Sequence, residues 1–219
     1  MIVYVYCEGQ TEESFVNKVL APYVHDNSGL FLRPIICETK RTIQQKFKGG
    51  LVKYEKAKKE IQKLCKGHPG EYVSTMLDFY AFPEDAPGME HRHKKINIYE
   101  RIEYVEKEIF KDIGCNNFIP NLMLHEFECL LFVRPDILSQ HYQCSIDAFN
   151  SLKAAREQAE TPEHIDDGKE TAPSKRIIKA IPEYSKILSG TTVTQDIGID
   201  NIRKECRHFS SWIDKLCSV

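Results

Sequence analysis

The chain has 219 residues, 42% hydrophobic and 28% charged, with a formal net charge of −2. That length suffices for one large domain or for a domain with a helical extension. The near-neutral balance excludes a globally basic nucleic-acid binder, so any such contact must rest on a local patch or a partner. No apolar run approaches the roughly 20 residues of a membrane helix. Eight cysteines occur, none in a C-x-x-C pair, so zinc-ribbon spacing is absent. With no signal-peptide pattern ahead of the first apolar run, the reading is reduced thiols and a cytoplasmic protein.

In chain order, Ile2 to Tyr6 is an uninterrupted β-branched and aromatic run, which suits a strand buried on both faces of a parallel sheet. Gly9 permits a tight turn, and Thr11 is placed to cap a helix bearing Phe15, Val16, Val19 and Leu20 on one face. Leu30 to Ile36 reads as a second strand, with Pro34 marking an edge. Thr39 to Lys66 has helical period. Its apolar face is Val52, Ala57, Ile61, Leu64 and Cys65, and its lysines read as a solvated face, with a nucleic-acid contact as the lesser alternative. Tyr72 to Leu77 is a third strand ending at Asp78, and a loop with the basic cluster His91 to Lys95 follows.

Ile98 to Ile113 is an amphipathic helix, with Ile102, Val105, Ile109 and Ile113 at helical spacing. Phe118 to Leu124 reads as a fourth strand running into His125-Glu126-Phe127-Glu128, then a helical stretch that stops before Pro135. Beyond Pro135 strands become scarce. Helices are expected over Ser145 to Ala159, over Ile177 to Leu188 with Pro173 in the first turn, and from about Asp200 through Trp212. Lys175 and Arg176 near a helix start oppose the helix dipole, a conflict that a nearby anion resolves. The expected architecture is α/β: a mostly parallel sheet flanked by helices over residues 1–134, with a mostly helical extension over 135–219 packed on it.

Three strand-helix units each deliver an acid at a strand's carboxyl end, where open α/β sheets place their sites: Glu8 with Glu12, Asp78, and Glu126 with Glu128. Converging carboxylates repel each other, and hard divalent cations resolve the repulsion. Oxygen-only ligation suits Mg²⁺ or Mn²⁺, and such sites activate water for displacement at phosphorus. Lys175 is placed to neutralise charge developing on a phosphate. No Walker-type GxxxxGK[ST] and no GxGxxG occurs.

The blocks Glu8-Gly9-Gln10-Thr11-Glu12-Glu13, Leu77-Asp78-Phe79-Tyr80, His125-Glu126-Phe127-Glu128 and Thr171-Ala172-Pro173-Ser174-Lys175-Arg176 resemble a bacterial Toprim-like family of unknown function. That family is similar to the Toprim domain of overcoming-lysogenization-defect (OLD) nucleases. The resemblance implies that Glu8 and Glu12 are the first acidic pair and Asp78 the first Asp of D-x-D. It implies Glu128, or alternatively Glu126, as the third element, and Lys175 with Arg176 toward the substrate phosphate. Tyr80 stands where that pattern has its second Asp, so one metal ligand is missing unless Glu126 replaces it.

The resemblance also implies an ABC-type (or SMC-type) ATPase partner, a nucleic acid substrate and a role in phage defence. Two other functions compete with such a nuclease. One is a non-catalytic module that docks on the ATPase or senses a phage product. The other is phosphoryl chemistry on small nucleotides or RNA.

Overall fold

The computed structural model describes residues 1–37, 53–80, 82–91, 97–165, 168 and 170–219. β1 (Ile2–Cys7) is central, and everything else is arranged about it. Its alternate side chains part between two cores. Val3, Val5 and Cys7 face one, and Tyr4 and Tyr6 face the other. A strand so buried must be apolar at every position, which is what its sequence supplies.

From β1 the chain passes through α1 (Gln10–Phe15), a π-helical stretch Val16–Leu20 and α2 (Ala21–Ser28). Pro22 lacks the N–H that an α-helix would direct at the carbonyl four residues back, and the widened turn lies just ahead of it. Among the described residues β2 (Phe31–Ile36) pairs only with β1, in parallel, and Pro34 is tolerated at this edge as expected. α3 (Tyr54–Gly67) ends the predicted Lys-rich helix where the sequence placed it. The predicted part from Thr39 to Val52 lies outside the described residues, as do Arg92 to Lys95 of the basic cluster.

β3 (Tyr72–Asp78) pairs with the other flank of β1. After α4 (Ile98–Ile113), the expected single strand Phe118 to Leu124 is two short ones, β4 (Phe118–Ile119) and β5 (Leu122–Met123), both parallel to β3. Pro120 interrupts them, because it has no N–H for the ladder. Strand order β2-β1-β3-β4 means that the chain leaves β1 in opposite directions, which opens a crevice at the carboxyl ends of β1 and β3.

Residues Phe127–Val133 form a 3₁₀ helix rather than an α-helix, followed by α5 (Pro135–Tyr142) and α6 (Ile146–Glu157). The helix expected over Ile177 to Leu188 does not exist as one element. It is α7 (Pro173–Ala180) and α8 (Lys186–Ile197), separated at Pro182, whose ring cannot continue a helix. The last expected helix is likewise two, α9 (Ile199–Glu205) and α10 (Arg207–Cys217).

α3 and α4 cover one face of the sheet. α1, α2, the 3₁₀ helix and the helices from α5 onward cover the other. α10 is fixed to the sheet by Trp212, whose buried indole Nε1–H donates to Ser74 Oγ on β3 at 2.9 Å. The mostly parallel sheet with flanking helices and a helical C-terminal part is the architecture read from the sequence. All eight cysteines are free, and no described helix is long and apolar enough to cross a membrane.

Candidate active site

The acids meet at the crevice between β1 and β3. Glu8 follows the last residue of β1, and its Oε2 accepts the Asp78 backbone N–H at 3.1 Å. Glu12, one helical turn on, accepts the Gly9 N–H at 2.9 Å. The N-cap of α1 is therefore Gly9, closed by a side chain from within the first turn. Thr11, expected as the cap, is instead buried beside it. Asp78 Oδ1 accepts the Phe127 N–H at 2.9 Å, which holds the end of β3 to the start of the 3₁₀ helix. Glu126 Oε2 accepts the Ser174 N–H at 2.9 Å, at the positive end of α7. The turn that delivers Glu126 and Glu128 needs a left-handed residue, and His125 takes that role with φ 63°.

Glu128 is wholly buried. Lys186, the first residue of α8, brings Nζ to 2.7 Å from Glu128 Oε1, with its own side chain 42% exposed. Glu128 Oε2 has no hydrogen-bond partner among the described residues, nor does the buried hydroxyl of Tyr184, two residues before the lysine. Tyr184 lies within electrostatic reach of Glu128, Glu126 and Glu12.

Too little positive charge reaches these acids. Burial, then Glu8, Glu12 and Glu128, push the Asp78 carboxyl well above its usual range. Burial raises Glu128 to about 7, against the pull of Lys186 and with Glu126 adding to the rise. Burial also raises Glu8, partly offset by the Asp78 N–H and Lys186, and raises Glu12 with Glu8 contributing. Burial alone would lower the Lys186 ammonium, but Glu128, Glu126 and Asp78 outweigh it and hold its proton more tightly than usual.

The structure thus brings Glu8, Glu12, Asp78, Glu126 and Glu128 into one neighbourhood. It does not bring Lys175 into an ion pair there. Lys175 is exposed on α7, and Arg176 is tied by Nε to the Thr171 carbonyl at 2.6 Å. The lysine that meets the acids is Lys186, which the sequence reading missed. The signal was available in Ile181-Pro182: a helix broken there restarts with Lys186 at its head.

A divalent cation fits this donor set in charge and in oxygen chemistry. An orphaned carboxylate oxygen on Glu128 is the kind of atom that a cation satisfies. As folded, however, no group of three or more acids, histidines or cysteines among the described residues stands ready to hold one. Backbone N–H groups engage one oxygen each of Glu8, Glu12, Asp78 and Glu126, and Lys186 stands on Glu128.

Two solved structures of the C-terminal region of the OLD protein of Xanthomonas campestris pv. campestris, phased with mercury and with iodine, are similar to this chain. Each is 12% identical and covers 99% of this chain and 96% of its own, with TM-scores of 0.42 and 0.43. No curated protein matches it. A family model described as a domain of unknown function, DUF4276, matches residues 7–217, and the chain belongs to that family.

Proposed function

We propose that the protein is a divalent-metal-dependent phosphodiesterase acting on nucleic acid, the effector subunit of an ATPase-controlled anti-phage system. The observation that carries this reading is the meeting of Glu8, Asp78, Glu126 and Glu128 from three strand ends at the sheet's switch point, where burial and neighbouring acids raise the proton affinities of Glu8, Asp78 and Glu128. These four, with Glu12 behind Glu8, would hold Mg²⁺ or Mn²⁺. Such an ion supplies Lewis acidity at a phosphoryl oxygen and a lowered pKa for water.

The chain's own groups do the rest. The Asp78, Phe127 and Ser174 N–H groups fix the carboxylates of Glu8, Asp78 and Glu126. In hydrolysis the water oxygen bonds to phosphorus, the ester P–O bond breaks with its electron pair going to the leaving oxygen, the water's proton passes to a carboxylate of the cluster, and the leaving oxygen takes a proton from solvent. Lys175, exposed in the first turn of α7, and the half-buried Arg176 beside it contact the substrate's phosphates outside the crevice. With Tyr80 at the position of a second Asp, the site holds one ion unless Glu126 supplies the missing ligand.

The test is cleavage of plasmid DNA and of RNA in Mg²⁺ or Mn²⁺ by wild type and by Glu8→Ala. The variant loses about a hundredfold or more, since the ion supplies several kcal/mol. Either metal raises the melting midpoint of the wild type and not of the variant, because a ligand bound only to the folded state stabilises it.

A second reading, a non-catalytic module docking on an ABC-type ATPase, is favoured by one observation: no three acids are set for an ion as folded. Absence of any metal-dependent shift, together with capture of the chain by such an ATPase, would establish it.

A further inference from the structure

Lys186 stands where the cation of the proposed function would stand, and this inference rests on that reading. Its Nζ is 2.7 Å from Glu128 Oε1, while Glu128 is fully buried. The ammonium also acts on Glu8, Glu12 and Asp78. One positive charge therefore serves acids from three strand ends, and it does not satisfy them. Glu128 Oε2 and the Tyr184 hydroxyl, each at least nine-tenths buried beside it, are without partners among the described residues.

The lysine itself is not locked in. Its side chain is 42% exposed, it heads α8 rather than lying within it, and the next two residues, Ile187 and Leu188, are exposed. A long flexible stem at such a position reaches solvent without moving the helix. A divalent ion on Glu128 would stand within a few ångströms of that ammonium, and like charges at that distance repel strongly in a partly buried site.

We propose that Lys186 is a tethered counter-ion that alternates with a divalent cation on Glu128. It neutralises the cluster in the metal-free protein and leaves when the metal arrives. Folding with a charge-compensated site and binding metal are then successive states of the same acids.

The experiment is titration calorimetry of the full chain with MnCl₂ alone, on wild type, Lys186→Met and Glu128→Gln. The expected result is that Lys186→Met binds Mn²⁺ at least tenfold more tightly than wild type and Glu128→Gln at least tenfold more weakly. If Lys186→Met binds no tighter, the alternation is overturned. If Glu128→Gln binds as wild type does, Glu128 is not the shared seat, and the inference falls while the metal-dependent reading stands. If none of the three binds, that reading falls and takes the inference with it.

Because Lys186→Met uncovers a buried acid and its folding is at risk, a second measurement uses the wild type alone. Acetylation of Lys186 by acetic anhydride, followed by peptide mass spectrometry, is expected to be several-fold faster with Mn²⁺ than without. An unchanged or slower rate under saturating Mn²⁺ overturns the proposal.

Discussion

A hydroxyl that is buried without a partner weakens a fold by about 1–3 kcal/mol relative to one that is bonded. Tyr184 carries such a group and Ser74 carries its opposite. The Ser74 hydroxyl donates to the Ile119 carbonyl at 2.8 Å and accepts from Trp212. Calorimetry of the metal-free protein should therefore separate two substitutions that each remove one oxygen. Tyr184→Phe leaves the melting midpoint unchanged or raises it by a few degrees, whereas Ser74→Ala strands the Trp212 N–H and lowers it, by about 2–4 °C for each kcal/mol lost in a chain of this size. At this scale the acids were legible in the sequence, because a carboxylate just past an apolar run is a local pattern. The orphaned Tyr184 was not, because its condition depends on what α8 brings opposite it.

α8 owes its position to a residue with no side chain. A Cβ on Gly190 would meet Phe127 Cε1 at 3.0 Å, Thr11 Cγ2 at 3.5 Å and the Tyr184 hydroxyl at 3.6 Å. Gly190 therefore lets α8 lie close against α1 and the 3₁₀ helix, one turn beyond Lys186. Alanine ordinarily gains about 0.5–1 kcal/mol over glycine inside a helix, but forcing a methyl into a filled space costs about 1–3 kcal/mol. The second effect is larger here, because the Phe127 ring is itself enclosed in the core. Gly190→Ala should lower the midpoint, and by shifting Lys186 off Glu128 should also change the Mn²⁺ affinity, which calorimetry reads directly.

Most elements could be read from periodicity, but the segment that carries Lys186 could not be read that way. A continuous apolar pattern from Ile177 to Leu188 outweighed Pro182 in the reading. Once the helix is divided there, Lys175 stays on the surface and Lys186 takes its place at the acids. Pro120 had the same effect on the fourth strand.

Across the molecule, the two faces of the sheet are joined by a buried ion pair. His208 Nε2, on α10, lies 3.0 Å from Glu106 Oε1 on α4, and the same Glu106 oxygen accepts the Leu122 N–H. Glu163 accepts the His208 and Phe209 N–H groups from the other side. Burial alone would lower the His208 pKa, but Glu106 and Glu163 outweigh it and raise it above 6.5. A base whose proton is held more tightly when folded gives stability that is fully present below its unfolded pKa. That stability is lost as pH rises through the folded value. The metal-free midpoint should fall as pH rises above about 6.5, and in His208→Gln the part of that fall owed to this pair should vanish. The raised carboxyls of the acid cluster act in the same direction, so the difference between the two proteins is the quantity to measure. Such a pairing joins residues about a hundred positions apart, which no local pattern in the sequence reports.

The arrangement about β1 has a consequence for the order in which the chain is made. β1 is translated before the other elements described above, yet the core that takes Val3, Val5 and Cys7 also takes Phe209, Trp212 and Ile213. At about 5–20 residues per second, the interval between them is on the order of 10–40 s. Throughout that time one side of β1 has no cover from α10, and for most of it Lys186 has not been made. A nascent chain therefore carries Glu8 and Asp78 well before the helix that brings Lys186 to the cluster.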